Sequence, residues 1–148
     1  MKKTRNILEK SFFNRDACEV AKDLLGKVIR HKIGDNWLSA KIIETEAYYK
    51  HEKGSHASLG YTNSRKALFM PHATIYMYYA RGGDSLNFSC KGEGNAVLIK
   101  SGIPFLEGDN SIEMLSIMQS NNPIKNSTKQ RDPMKLCSGQ TLLCKSWI

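Results

Sequence analysis

Two carboxylates two residues apart, Glu44 and Glu46, close an apolar, β-branched run and are followed by Tyr48. Side chains alternate along a strand, so Leu38, Ala40, Ile42, Glu44, Glu46 and Tyr48 would share one face. That face starts as core and ends in two carboxylates and an aromatic ring. A carboxylate so placed can take a proton from water or face a developing positive charge. Taken alone, the pattern equally describes a strand leaving the core with its last charges in water. The next part of the chain favours chemistry: a polar loop holds His56, and a tyrosine-rich stretch spans 73–79.

These residues need elements to position them. Asp16 with Glu19 three residues on forms a capping box, and Ala17, Val20, Ala21, Leu24 and Leu25 line one helical face that Gly26 ends. Residues 27–33 and 37–49 read as strands joined by the short turn Gly34-Asp35-Asn36. Residues 50–67 form a long polar loop with His51, His56, Arg65 and Lys66, and long loops inside compact domains tend to carry function. Strand character returns at 73–79, breaks at Arg81-Gly82-Gly83-Asp84, resumes at 85–90 and again at 95–101. Asn110 and Glu113 predict a second capped helix with Ile112, Leu115 and Met118 on one face. Residues 120–132 read as a linker, and Leu142, Leu143 and Trp147 start a last helix. Helices around antiparallel hairpins predict an α+β fold, a curved and mostly antiparallel sheet flanked by helices.

The chain, 148 residues, is long enough for one domain with a real core, read as spanning 1–148 with a basic lead-in over 1–11. Phe12 and Phe13 at the end of that lead-in are expected to pack against it. Twenty-two Lys and Arg against fourteen Asp and Glu give a net charge of +8, which favours a polyanionic partner through counterion release. The four cysteines, at 18, 90, 137 and 144, form no Cys-x-x-Cys pair and read as reduced and mostly buried. No metal-ligand spacing, signal-peptide pattern or membrane-length apolar run is present, so no metal, no cofactor and no membrane contact are expected. The expected location is the cytoplasm.

The pieces become specific as an ordered set: Glu44-Thr45-Glu46-Ala47-Tyr48, His56-Ala57-Ser58, Leu68-Phe69-Met70, Thr74-Ile75-Tyr76-Met77-Tyr78, Leu86-Asn87 and Leu136-Cys137-Ser138-Gly139. The order resembles that of the alkyladenine DNA glycosylases, the 3-methyladenine DNA glycosylases of the mammalian type, from Phe12-Phe13 to the C-terminus. The resemblance implies hydrolysis of the N-glycosidic bond of a damaged purine, alkylated or deaminated, flipped out of duplex DNA. It implies a monofunctional enzyme without metal or covalent lysine, acting as a monomer, and near the nucleoid if the source is bacterial. Glu46 is then the general base, and Glu44 is structural or solvated. Tyr48 and His56 match pocket residues, Tyr78 a second stacking aromatic, and Asn87 the side chain that crowds guanine's exocyclic amino group. Tyr76, Arg65, Lys66, Arg81 and Lys100 carry over as DNA contacts, with Arg81 at or next to the family's tyrosine wedge and Tyr79 the other candidate.

The sequence departs from the family pattern in three places. The wedge loop is one residue shorter. Gln140 and Leu142 stand where the family has a proline and a basic residue after Ser138-Gly139. The family continues well past this C-terminus, so an apolar face or sheet edge is expected to lie open. The alternative reading is a shortened, catalytically weak relative that binds nucleic acid without cleaving the bond. RNA phosphodiester cleavage by Glu46 and His56 is a third, lacking a second well-placed acid–base group.

Overall fold

The computed structural model describes residues 6–80 and 82–147. Helix α1 (Ala17–Leu24) starts where the Asp16 carboxylate accepts hydrogen bonds from the backbone N–H groups of Cys18 and Glu19. Ala17, Val20, Ala21 and Leu24 are buried. Leu25, expected on the same face, is half exposed because the chain leaves the helix there and turns through Gly26 at φ +81°. Ahead of the helix, Phe13 stacks on Phe88 with ring centroids 5.0 Å apart, so the lead-in packs on the domain as expected.

Five strands form one curled antiparallel sheet: β1 (Val28–Ile33), β2 (Asn36–Tyr48), β3 (Ile75–Ala80), β4 (Gly83–Ser89) and β5 (Ala96–Pro104). The order is β1-β2-β5-β4-β3, so β5 is the central strand and β2 closes onto it. Its side chains Val97, Leu98 and Ile99 have no exposed surface, the burial expected of a central strand. Directly opposite residues share a face, and one row runs in register across four strands: Glu46 faces Leu98, Leu98 faces Asn87, and Asn87 faces Tyr76. Two residues along, Tyr48 and Tyr78 extend the same face. Pairing between β2 and β5 is irregular on both sides of Glu44, so the ladder is disturbed just before Glu46.

Helices α2 (Ser111–Asn121) and α3 (Gln140–Trp147) complete the α+β fold. Asn110 makes no side-chain capping bond to α2, against expectation. The helix also turns a different side inward: Met114 and Met118, four apart, are buried, whereas Ile112 is 84% exposed. Just past the helix, in the stretch read as a linker, Asn122 is 1% exposed and its amide donates to Leu136 O, Leu142 O and Ser146 Oγ at 3.0–3.2 Å. Short α3 therefore has tertiary cover: Leu143, Cys144 and Trp147 are buried. Exposed large apolar side chains lie instead at the sheet's edges: Ile75, Met77 and Tyr79 on β3, and Ile33 on β1.

Three cysteines, 90, 137 and 144, are buried and Cys18 is exposed; all four are free. Burial pushes each of the three buried thiols up to about 12, so none is a thiolate at neutral pH. Among the described residues no helix is long and apolar enough to cross a membrane.

Candidate active site

The row across the sheet ends at Glu46, and three groups meet there. Tyr48 donates its hydroxyl to Glu46 Oε2 at 2.5 Å, and Lys100 Nζ lies 3.2 Å from Glu46 Oε1. Each carboxylate oxygen thus has its own partner. Partial burial works against the charge on Glu46, but the Tyr48 hydrogen bond and the Lys100 ammonium outweigh it and hold the carboxyl below its ordinary value. The same bond, with burial, raises the Tyr48 phenol to about 12, so it stays a donor. Glu44 is exposed, on the disturbed part of the ladder. Of the two carboxylates, Glu46 alone has a built environment.

Beside this group lies a cleft of about 30 Å³ lined by Tyr48, Ser55, His56, Leu68, Tyr78, Asn87 and Ala96, among others. His56 comes from the long loop, which folds as two 3-10 turns, His56–Leu59 and Lys66–Phe69. Ser55 caps the first turn by accepting from Ala57 N–H, which fixes where the His56 ring leaves the chain. The His56 and Tyr78 rings are in contact, with centroids 4.1 Å apart, and His56 Nδ1 bonds the Tyr76 hydroxyl at 3.1 Å. Asn87 is buried and its Nδ2 donates to Tyr76 O at 3.2 Å, which turns the amide oxygen away from that carbonyl.

Of the residues expected to act together, Glu46, Tyr48, His56, Tyr78 and Asn87 converge on this one place. The expected DNA contacts divide. Tyr76 is 5% exposed, and its hydroxyl lies 3.1 Å from His56 Nδ1, behind the side chains that line the cleft. Lys100, expected on DNA, is instead the ion-pair partner of Glu46. Arg65 uses Nε and Nη2 on the carbonyls of Gly60 and Leu59, joining the two turns of the loop. Lys66 is exposed on the second turn. Arg81 lies outside the described residues, and Tyr79, the other wedge candidate, is 74% exposed. Among the described residues, no group of three or more His, Cys, Asp or Glu side chains is placed to hold a metal ion.

The sequence reading missed the role of the Leu136-Cys137-Ser138-Gly139 turn. Cys137 O accepts from Gly102 N–H at 2.9 Å, so the turn runs alongside β5 where that strand has passed the end of its ladder with β4. Ser101 Oγ donates to Cys137 O and accepts from Gly139 N–H, both at 3.2 Å. A motif that carried the resemblance therefore acts as a backbone clasp next to Lys100.

The sheet and its helices define an α+β protein whose Glu46 carboxylate lies beside an aromatic-lined cleft. The sequence profile of the methylpurine-DNA glycosylases matches residues 11–147, and the chain belongs to that family. It is 63% identical over 139 residues to a protein of Pseudomonas syringae pv. tomato, covering 94% of this chain and 62% of that one. A Pseudomonas aeruginosa protein is also 63% identical over 139 residues, covering 94% and 58%. An Anaeromyxobacter protein is 40% identical over 101 residues, covering 66% and 52%. All three carry the provisional name 3-methyladenine DNA glycosylase. The chain spans about 60% of the length of the Pseudomonas relatives it matches.

Proposed function

We propose that the protein is a monofunctional DNA glycosylase that hydrolyses the N-glycosidic bond of alkylated or deaminated purines in duplex DNA. The observation that carries this reading is the doubly held Glu46 carboxylate at the edge of a cleft faced by Tyr48, His56 and Tyr78. The target nucleotide leaves the stack, because the bond is out of reach inside the duplex. A water attacks C1′ of the deoxyribose while the C1′–N bond breaks, its electron pair leaving with the base, and Glu46 takes the water proton. The same carboxylate faces the positive charge that develops on the sugar. A purine alkylated on a ring nitrogen is cationic and departs neutral, whereas hypoxanthine leaves as an anion that is protonated by solvent. The product is an abasic site.

Discrimination follows from the cleft. A cationic base gains about 0.5 to 2 kcal/mol per electron-rich face, so Tyr48 and Tyr78 together give useful selectivity over a normal base. Asn87, held by the Tyr76 carbonyl, crowds an exocyclic amino group at guanine's 2-position. Lys66, Arg65 and Arg81 are assigned to the DNA backbone or the opened stack, in keeping with the net charge of +8. We assign the protein to the cytoplasm of a bacterium such as those of its relatives, near the nucleoid, and read it as a monomer.

The test is incubation with a duplex carrying one hypoxanthine or ethenoadenine, followed by alkali to reveal abasic sites. Strand breaks at the lesion support the reading; tight, damage-dependent binding with no breaks supports a relative that binds without cleaving. In the structure the cleft holds about 30 Å³, so under either reading the loop over 50–67 draws back to admit a base.

A further inference from the structure

Lys100 does not face Glu46 alone. Its ammonium also lies 3.3 Å from the side-chain oxygen Oε1 of Gln140, the first residue of α3. The three side chains come from β2, β5 and α3, which are far apart in the chain. Their meeting is built into the backbone on either side. Lys100 occupies the irregular part of the β2–β5 ladder, between Ile99 paired with Thr45 and Ser101 paired with Glu44. Such irregularities re-aim a side chain. Gln140 follows Gly139, whose N–H is held by Ser101 Oγ and whose φ of +89° suits a residue without a side chain. The neighbour of Lys100 thus clasps the neighbour of Gln140. With Gly102 N–H on Cys137 O, the two strands of chain that carry the contact are joined at three backbone atoms.

We propose that Gln140 is a positioning residue for the Glu46 carboxylate, acting through Lys100. A lysine ammonium is a point charge on a stem of four rotatable carbons, and it is only partly buried here. One partner would leave it free to rotate and to exchange with solvent. The Gln140 oxygen accepts one N–H and thereby points another at Glu46 Oε1. The amide is neutral, so it anchors the ammonium without competing for its charge, as a second carboxylate would. On the other side Tyr48 holds Oε2. The carboxylate is fixed from both ends, with Gln140 as the outermost anchor.

The consequence for catalysis rests on the proposed glycosylase activity, but the contact itself is measurable without a substrate. The experiment follows the Glu46 carboxyl by carbon-13 NMR through an acid titration of the full chain, its resonance assigned by loss in Glu46→Gln. Gln140→Met keeps the side chain's length and removes the acceptor; Lys100→Met removes the ammonium. The Glu46 carboxyl should titrate at higher pH in Gln140→Met than in the unaltered protein, and higher again in Lys100→Met. In the double variant it should titrate where Lys100→Met alone does, because Gln140 has nothing left to act through. With excision measured alongside, Gln140→Met should slow turnover about three- to tenfold, the effect of one weakened charge-assisted hydrogen bond, with KM unchanged. An unmoved titration in Gln140→Met, or an equal shift with and without Lys100, overturns the proposal. If the unaltered protein fails to excise, the glycosylase reading fails while the titration still decides the role of Gln140.

Discussion

Replacing Glu46 by Gln separates chemistry from folding in a way the geometry lets one work out beforehand. The substitution keeps the side chain's shape and leaves Tyr48 an oxygen to bond, but it removes the negative charge beside Lys100. That ion pair is about one third exposed on each side, 28% for Lys100 and 35% for Glu46, so solvent screens it. Its loss should cost at most about 1 kcal/mol of stability, a Tm change of about 2–4 °C in a chain of this size. Excision should fall at least about 100-fold, the lower end of what a positioned base contributes and about 2.7 kcal/mol in barrier. Binding to undamaged duplex should survive, since the protein becomes more positive. The pH dependence adds a sign. Glu46 is needed ionised and its carboxyl is held down, so activity is full above the ordinary carboxylate value of 4.5 and falls only as pH drops through the lower folded value. The assay is single-turnover excision of hypoxanthine at several pH values, with thermal unfolding of each variant and Glu44→Gln as the control. Normal excision by Glu46→Gln together with loss in Glu44→Gln would refute the choice of carboxylate, and with it the site.

Other consequences are open to simpler measurements. Asn122→Ala leaves three buried or half-buried acceptors without their common donor, so denaturant unfolding should show a loss of about 2–3 kcal/mol; a neutral result would mean that α2 and α3 are held by packing alone. Gly83→Ala would drive a methyl group into Thr141 Cγ2, costing about 1–3 kcal/mol, and Thr141→Ser should restore most of it by removing the methyl that it meets. Affinity for undamaged duplex, measured across a salt series, should fall with a slope of about −0.9 per phosphate neutralised; a flat response would mean that the net charge of +8 does not act on DNA.

The parts of this protein legible in its sequence are those whose cause is local. Asp16 caps α1 because a carboxylate two residues before an N–H is geometrically suited to it, and Gly26 ends the helix because it tolerates a positive φ. Strand alternation put Glu46 with Tyr48 and Tyr76 with Tyr78 on common faces, and the ordered motifs pointed to the family that the profile match then established. Whatever depends on register or on a distant partner was settled by the packing of the whole chain. Which row of β4 faces which row of β5 brings Asn87 to Leu98 and so to Glu46, and no spacing within either strand encodes that. Lys100 was carried over from the resemblance as a DNA contact; only the disturbed β2–β5 ladder turns its ammonium onto Glu46. Asn110 and Ile112 show the converse: a capping pattern and an apolar spacing were both present, yet the burial of Met114 and Met118 set which side of α2 faces inward. The Ser138-Gly139 turn was legible as a motif and silent as a mechanism. Its task is to hold Ser101, two elements away, and hydrogen bonds of that range are fixed by how the chain folds back on itself rather than by the residues beside them.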